Sequence, residues 1–258
     1  MPESLSPVID VGPHNLDETG FFCYMSKRKF VGYKKKHNWM IDRFAEGLRL
    51  RMLKLPNRGF IEYLPAEFAW RPIEADGYLF IHCLWIVGKS KGKGFARQLL
   101  EDCITDARTN GNRGVAMVTS EKVWLVDKSF LIHSGFEVAD SAEGVFNLMA
   151  LPFDDGPLPR FVPGIGQRAE TYGKGLTVFR AEQCPYIEDA TNVVREVAEN
   201  RGIPFRAVEM TSSAEIRERA VSAFGIFGIV YRGELLSYHY LTEKQLNARL
   251  DSFEQGPG

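Results

Sequence analysis

The feature that most constrains the fold is an apolar run that leads directly into a loop of alternating glycines and lysines. Residues 78–87 have the length and composition of a strand that is buried on both faces. The loop at 88–94 reads Gly-Lys-Ser-Lys-Gly-Lys-Gly. From Phe95 to about Thr109, apolar side chains then recur at the 3.6-residue period of an amphipathic helix. This succession of strand, tight loop and helix predicts an α/β fold.

The loop is suited to binding an anion. Gly92 and Gly94 allow backbone N–H groups to turn toward a ligand, and the positive end of the following helix points to the same place. Three lysines, Lys89, Lys91 and Lys93, add positive charge. The loop matches neither the GxxxxGK[ST] nor the GxGxxG pattern. It therefore predicts a phosphate site of another kind, with a solvated basic turn as the alternative.

Composition and charge exclude several classes of protein. The 258 residues are 45% hydrophobic and 25% charged, as in ordinary globular proteins. The net charge of −1 gives no whole-chain basic footprint for nucleic acid. No apolar run approaches the about 18 residues of a membrane span, and we recognise no signal peptide. The four cysteines fit neither zinc pairs nor a disulfide scaffold, so we expect thiols in a reducing cytoplasm.

A proline-rich segment divides the chain. Residues 152–172 contain four of the thirteen prolines and three glycines, which disfavours a helix or a central strand. We therefore predict a first domain at 1–151, a linker at 152–173 and a second domain at 174–258. The strands predicted for the first domain lie at 7–11, 49–54, 60–64, 68–73, 78–87, 114–119, 136–138 and 145–151, with a helix at 123–133 before the last two.

The loop also resembles a known family. Residues 86–96 resemble the acyl-CoA loop of the GNAT acetyltransferase superfamily, whose usual motif is [Arg/Gln]-x-x-Gly-x-[Gly/Ala]; here Lys89 replaces the first residue. Gly135-Phe136, at the end of the following helix, is a familiar companion of that motif. The resemblance covers about residues 5–152. It implies an α/β (α+β) fold with a GNAT-type mixed, mostly antiparallel sheet flanked by helices. It also implies an N-acyltransferase that moves an acetyl group from acetyl-CoA to a primary amine, without a metal.

The resemblance assigns residues to the co-substrate. In GNAT proteins the strand before the loop diverges from its neighbour, and its free backbone groups pair with the pantetheine arm. By position, Leu84, Trp85 and Ile86 take this role here. The residues implied for the pyrophosphate are Lys89, Lys91, Gly92, Lys93, Gly94, Phe95 and Ala96.

The catalytic residues remain open at this stage. Many GNAT members place a tyrosine four residues before the glycine of Gly-Phe, but here that position is Leu131, so the usual acid is missing. An amine needs a base to remove its proton, and the leaving thiolate needs an acid. Structural roles, such as a salt bridge or core packing, compete with catalysis for each candidate. Alternation along a strand predicts that neighbouring residues 82 and 83 face opposite sides of the sheet. The candidates are Glu62, Glu67 and His82 as bases, Ser120 as a proton donor and Cys83 as a covalent acyl carrier.

The second domain has the predicted order β-α-β-α-β-β-α. With Cys184-Pro-Tyr-Ile187 at its first helix, it resembles the thioredoxin and glutaredoxin fold over about residues 174–252. Ile187 replaces the second cysteine of that family, which excludes a dithiol mechanism. The two halves together resemble bacterial proteins that carry a YoaP-like C-terminal domain. A cysteine at a helix N-terminus can act as a thiolate. A thiol-redox or thiol-sensing role for Cys184, beside an altered CoA-binding domain, is therefore the alternative function.

These interpretations give expectations for partners. The acceptor is expected to be a small-molecule or peptide amine. Neither nucleic acid nor a membrane is expected as a partner, and a homodimer stays an open alternative.

Overall fold

The computed structural model describes residues 7–121 and 125–255, and the chain forms two compact units. The first unit comprises the described residues up to Arg28, His37–Ala69 and Ile73–Phe161. The second comprises Lys29–Lys36, Trp70–Pro72 and the described residues from Val162 onward. Two short segments from the N-terminal half thus belong to the second unit, a feature that the proline cluster did not predict.

The first unit is built on a seven-stranded sheet in the order β1-β2-β3-β5-β6-β8-β7. Strands β5 and β6 run parallel, and the other neighbours pair antiparallel. This confirms the mixed, mostly antiparallel sheet. The strands of this sheet are β1 Val8–Val11, β2 Arg49–Leu53, β3 Gly59–Pro65, β5 Tyr78–Ile86, β6 Gly114–Ser120, β7 Glu137–Ala142 and β8 Phe146–Pro152, and a separate pair is formed by β4 Ile73–Glu74 and β9 Arg160–Phe161.

Helices flank this sheet. The apolar stripe of α3 is fully buried against one face of the sheet, where Leu99, Leu100 and Cys103 meet Ile81 and Met117. This core fixes where α3 begins, and therefore where the glycine-lysine loop lies. The helices are α1 Leu16–Thr19, α2 Val31–Phe44, α3 Phe95–Thr109 and α4 Lys128–His133.

Two predictions for the first domain need correction. The strand predicted at 68–73 is wrong: a 3-10 turn occupies Ala66–Phe68, and β4 has only two residues. Pro72 lacks an N–H donor and cannot serve inside a strand ladder, and Trp70–Pro72 belong to the second unit. The helix predicted from residue 123 begins at Lys128, where Asp127 accepts a hydrogen bond from the Ser129 N–H. Residues 122–124 lie outside the described residues.

The second unit contains a four-stranded sheet in the order β11-β10-β12-β13, with β10 and β11 parallel. The element order confirms the predicted β-α-β-α-β-β-α. A capping box forms at the start of the last helix, where Thr242 and Gln245 exchange hydrogen bonds. The elements are β10 Leu176–Arg180, α5 Tyr186–Asn200, β11 Phe205–Glu209, α6 Ser213–Arg219, β12 Phe227–Tyr231, β13 Glu234–Ser237 and α7 Glu243–Gln255.

The proline-rich segment is more structured than a linker. Residues 152–173 include β9 and a 3-10 helix at Gly166–Thr171. Ile165 and Ala169 are buried, so this helix packs on its own unit instead of lying free in solvent. Prolines exclude regular helices and central strands from the segment, but they permit short edge pairs and 3-10 turns.

Candidate active site

The central strands β5 and β6 diverge at one end. Their parallel pairing runs from Tyr78 and Gly114 to Ile81 and Met117. Beyond that point β5 continues to Ile86 along β3, while β6 continues to Ser120 along β8. The two strands therefore open a gap between their C-terminal ends. In an open α/β sheet this is the place where a ligand can reach unpaired backbone groups.

The glycine-lysine loop closes the end of this gap. Gly88, Gly92 and Gly94 have φ values of 58°, 74° and 76°, a left-handed conformation that only glycine adopts at little cost. The buried Ser90 accepts a hydrogen bond from the backbone N–H of Arg58 at 2.9 Å, which anchors the loop to the start of β3. A β-carbon added at Gly92 would meet no atom within 4 Å, so this part of the loop lies beside open space.

The N-terminus of α3 lies at the end of this loop. Gly94 precedes the helix and brings no side chain to cap it. The first N–H groups of any helix lack acceptors within the helix, and they carry the positive end of its dipole. At its other end α3 is held by Asp106, which accepts hydrogen bonds from Arg51 and from the Tyr63 hydroxyl. Burial, together with this bond, raises the pKa of Tyr63, so the hydroxyl remains a donor. The arrangement can bind a phosphate group.

A β-bulge corrects the predicted orientation of two candidate residues. Glu62 pairs with Cys83, but the next pair is Tyr63 with Ile81, so His82 is the extra residue in β5. Directly opposed residues share a face of the sheet, which puts Cys83 beside Glu62. His82 also contacts Glu62. The prediction that His82 and Cys83 face opposite sides is therefore wrong, because the bulge shifts the alternation by one residue.

Glu62 and His82 form a buried acid–base pair. Both side chains are fully buried, and His82 Nδ1 lies 3.5 Å from Glu62 Oε1. The imidazole is packed between the rings of Trp39 and Phe80, at 6.0 and 5.6 Å between centroids. Cys83 is partly exposed on the same face. A carboxylate and an imidazole are the side chains that most often accept protons as general bases, and here the two lie together.

The other catalytic candidates lie elsewhere. Glu67 accepts a hydrogen bond from the Gly77 N–H at 2.8 Å. Five residues of extended chain separate Gly77 from His82, about 16 Å at the usual rise of a strand, so the structure does not bring Glu67 to the gap. Ser120 is buried at the last position of β6, on the rim of the gap, and pairs with Phe146. Leu131, at the position where GNAT members often have tyrosine, is completely buried in the core.

An aromatic cluster on the same face was not recognised in the sequence. Trp85 pairs with Phe60 across β3 and β5. The Phe22 ring stacks on Phe60 at 5.7 Å and meets Trp85 edge-on at 6.0 Å. Trp85 is 36% exposed, whereas Phe60 is 4% exposed. The distance along the chain between Phe22 and the strands gives no pattern that would reveal this contact. Trp70, by contrast, is buried and belongs to the second unit.

Cys184 lies in the second unit, directly before α5, and is partly exposed. The first turn of α5 carries an ion network. Glu188 contacts Arg180 at 2.7 Å and Lys35 at 3.1 Å. Burial alone would raise the pKa of Glu188, but the hydrogen bonds from Arg180 and Lys35 outweigh it and lower the pKa. All four cysteines of the chain are thiols.

Within 7–121 and 125–255, no three His, Cys, Asp or Glu side chains are grouped as metal ligands. No helix of these ranges has the length and apolar character needed to cross a bilayer.

The chain is similar to one curated protein over nearly its whole length. It is 31% identical over 247 residues to the uncharacterized N-acetyltransferase YoaP of Bacillus subtilis, covering 93% of this chain and 98% of YoaP. No family model matches the chain. Among solved structures, a GNAT family acetyltransferase from Brucella melitensis in complex with acetyl-CoA is 13% identical. The match covers 60% of this chain and 92% of the Brucella chain, with a TM-score of 0.39. The PaiA N-acetyltransferase of Thermoplasma acidophilum, in complex with coenzyme A, is 15% identical. The match covers 57% of this chain and 99% of the PaiA chain, with a TM-score of 0.40.

Proposed function

The chain belongs to the same family as the uncharacterized N-acetyltransferase YoaP, and we propose that it transfers the acetyl group of acetyl-CoA to a primary amine. The observation that carries the proposal is the divergence of β5 and β6 directly before the glycine-lysine loop. This one feature supplies both a strand edge and an anion site, and acetyl-CoA has an extended amide-containing arm that ends in a pyrophosphate.

Acetyl-CoA fits this part of the chain as a substrate. Its pantetheine arm would add to β5 like a strand, with its amides hydrogen-bonded to the backbone of Leu84, Trp85 and Ile86. Its pyrophosphate would accept hydrogen bonds from backbone N–H groups between Lys91 and Ala96, at the positive end of α3. Lys89, Lys91 and Lys93 would add screened, long-range attraction for the phosphates. The acetyl end then lies near the bulge at His82.

The chemistry follows from the groups beside the bulge. The amine nitrogen attacks the carbonyl carbon of the thioester directly in a ternary complex, so that an N–C bond forms and the C–S bond breaks. The proton of the amine passes to the Glu62–His82 pair, through a water because both side chains are buried. The CoA thiolate leaves and takes a proton from water at the open end of the gap, and Ser120, at the last position of β6, is the candidate hydroxyl to relay that proton. A covalent acetyl-Cys83 is the alternative path.

The experiment is acetyl-CoA turnover against a panel of amines, thiols and peptides, followed as CoA release. The proposal expects N-acetylated products, and it expects initial-rate patterns in which both substrates bind before a product leaves. A ping-pong pattern that is lost in Cys83→Ser would instead support the acetyl-cysteine path. If no amine is acetylated although acetyl-CoA binds, the transfer function is contradicted.

For the second unit we propose a thioredoxin-like scaffold that supports the transferase without taking part in the transfer. The support is its sheet: the parallel pair β10 and β11 is joined by α5, and the β12–β13 hairpin lies on the other side of β10. Ile187, at the position of the family's second cysteine, is completely buried. The replacement of that cysteine by a buried apolar residue supports a structural role for this part of the unit.

A further inference from the structure

We propose that the acceptor of this enzyme is an arylalkyl amine, a primary amine joined by a short alkyl chain to an aromatic ring that binds against Phe22 and Trp85. This inference rests on the proposed acetyl transfer. It adds the substrate class, which neither the fold nor the similarity to YoaP specifies.

The side chains packed on each face of β5 determine the face from which an amine can approach. On one face, Leu84 belongs to the core beneath α3, and Ile86 packs against that core. On the other face lie Cys83, which is partly exposed, and Trp85, which is 36% exposed. An acceptor can therefore reach a thioester in the gap from the side of Cys83 and Trp85.

The spacing on this face suits a short amine. Cys83 and Trp85 are two residues apart on the same side of one strand, so their side chains are separated by about 7 Å. The Glu62–His82 pair lies at the Cys83 position, because Glu62 and Cys83 are directly paired. A molecule with its nitrogen at this acid–base pair thus places its next group, after a short alkyl chain, against the Trp85 ring.

The surface around Trp85 is formed by more than one aromatic ring. Phe22 meets Trp85 edge-on, with ring planes at 71° and centroids 6.0 Å apart, and it stacks on Phe60. Phe60 is nearly buried and supports the two other rings from below. Perpendicular rings at this distance leave an edge and a face for a third ring, the geometry that aromatic groups prefer. A saturated ring gains the same burial of apolar surface, but not this electrostatic fit.

The test compares phenethylamine with cyclohexylethylamine, which has the same chain and a saturated ring. We expect wild-type kcat/KM to be about 3- to 10-fold higher for phenethylamine, as a single aromatic pair contributes. In Trp85→Leu and Phe22→Leu this preference should disappear through a rise in the KM of phenethylamine. In Phe22→Leu the KM of acetyl-CoA should stay unchanged, because residue 22 lies outside the segment proposed to pair with pantetheine.

The matched control is Phe68→Leu. Phe68 is exposed to a similar degree, 39%, but it lies in the 3-10 turn after the far end of β3. This variant should keep the preference for phenethylamine. Equal acetylation of both amines by the wild type, or a preference that survives in Trp85→Leu, would overturn the inference while leaving acetyl transfer intact. Absence of turnover with every amine would instead contradict the proposed function itself.

Discussion

A methyl group added at Gly59 should weaken acetyl-CoA binding without touching the ligand. Gly59 begins β3 and pairs with Ile86 at the open end of β5. A β-carbon there would lie 2.3 Å from Ile86 Cδ1, which can rotate away, and 2.9 Å from the backbone oxygen of Trp85, which cannot. Relief requires a shift of β5 by several tenths of an ångström, and overpacking of this kind costs about 1–3 kcal/mol. In Gly59→Ala we expect the Tm of the first unit to fall by about 2–12 °C.

The same shift displaces the backbone that is proposed to pair with pantetheine. Loss of one such hydrogen bond, worth about 0.5–1.5 kcal/mol, raises the KM of acetyl-CoA about 2- to 10-fold. Steady-state kinetics and a thermal melt measure the two effects. Gly114→Ala is the matched control, since its β-carbon would meet the Leu151 oxygen at 2.5 Å, at the end where β5 and β6 remain paired. It should lose Tm but keep the KM of acetyl-CoA. Equal KM changes in both variants would contradict a local effect on the edge of β5 that pairs with pantetheine.

Four other substitutions test the assigned roles. Glu62→Gln should lower kcat about 100-fold or more while the chain still folds. Glu67→Gln, at the residue that accepts the Gly77 N–H, should leave kcat unaltered; rate assays with circular dichroism check both. Cys184→Ser should keep full acetyl transfer, and a loss of turnover would revive the thiol alternative. Because the folded state lowers the pKa of Glu188, its ionised carboxylate stabilises the fold above the ordinary value of 4.5, and this stability is lost as the pH falls through the lowered pKa. Glu188→Gln should therefore destabilise the second unit to urea near neutral pH, but not well below pH 4.5.

The strand, loop and helix from residue 78 to residue 109 could be predicted because the signals are local. The apolar run, the glycines and the 3.6-residue period each depend on neighbours in the chain. The structure has β5 at Tyr78–Ile86 and α3 at Phe95–Thr109, within a residue of that prediction. The capping box at Thr242 is local in the same way.

The arrangement of the site could not be predicted in the same way. A bulge adds one residue without a sequence signal, and at His82 it moved a candidate base to the face of Glu62. The contact between Phe22 and Trp85 depends on sheet pairing. Glu67 resembled Glu62 in the sequence, and only the structure shows that its carboxylate accepts the Gly77 N–H, far from the gap. Long-range pairing decides each of these positions.

The most direct test of the account is calorimetry of coenzyme A binding to the wild type and to two glycine variants. Gly92 and Gly111 have similar φ values, 74° and 70°, and a β-carbon at either meets no atom within 4 Å. Gly92 lies in the loop proposed for the pyrophosphate, whereas Gly111 follows the other end of α3. We expect one site per chain, with affinity weakened about tenfold or more in Gly92→Trp and unchanged in Gly111→Trp. Absence of binding to the wild type, or equal binding by both variants, would contradict it.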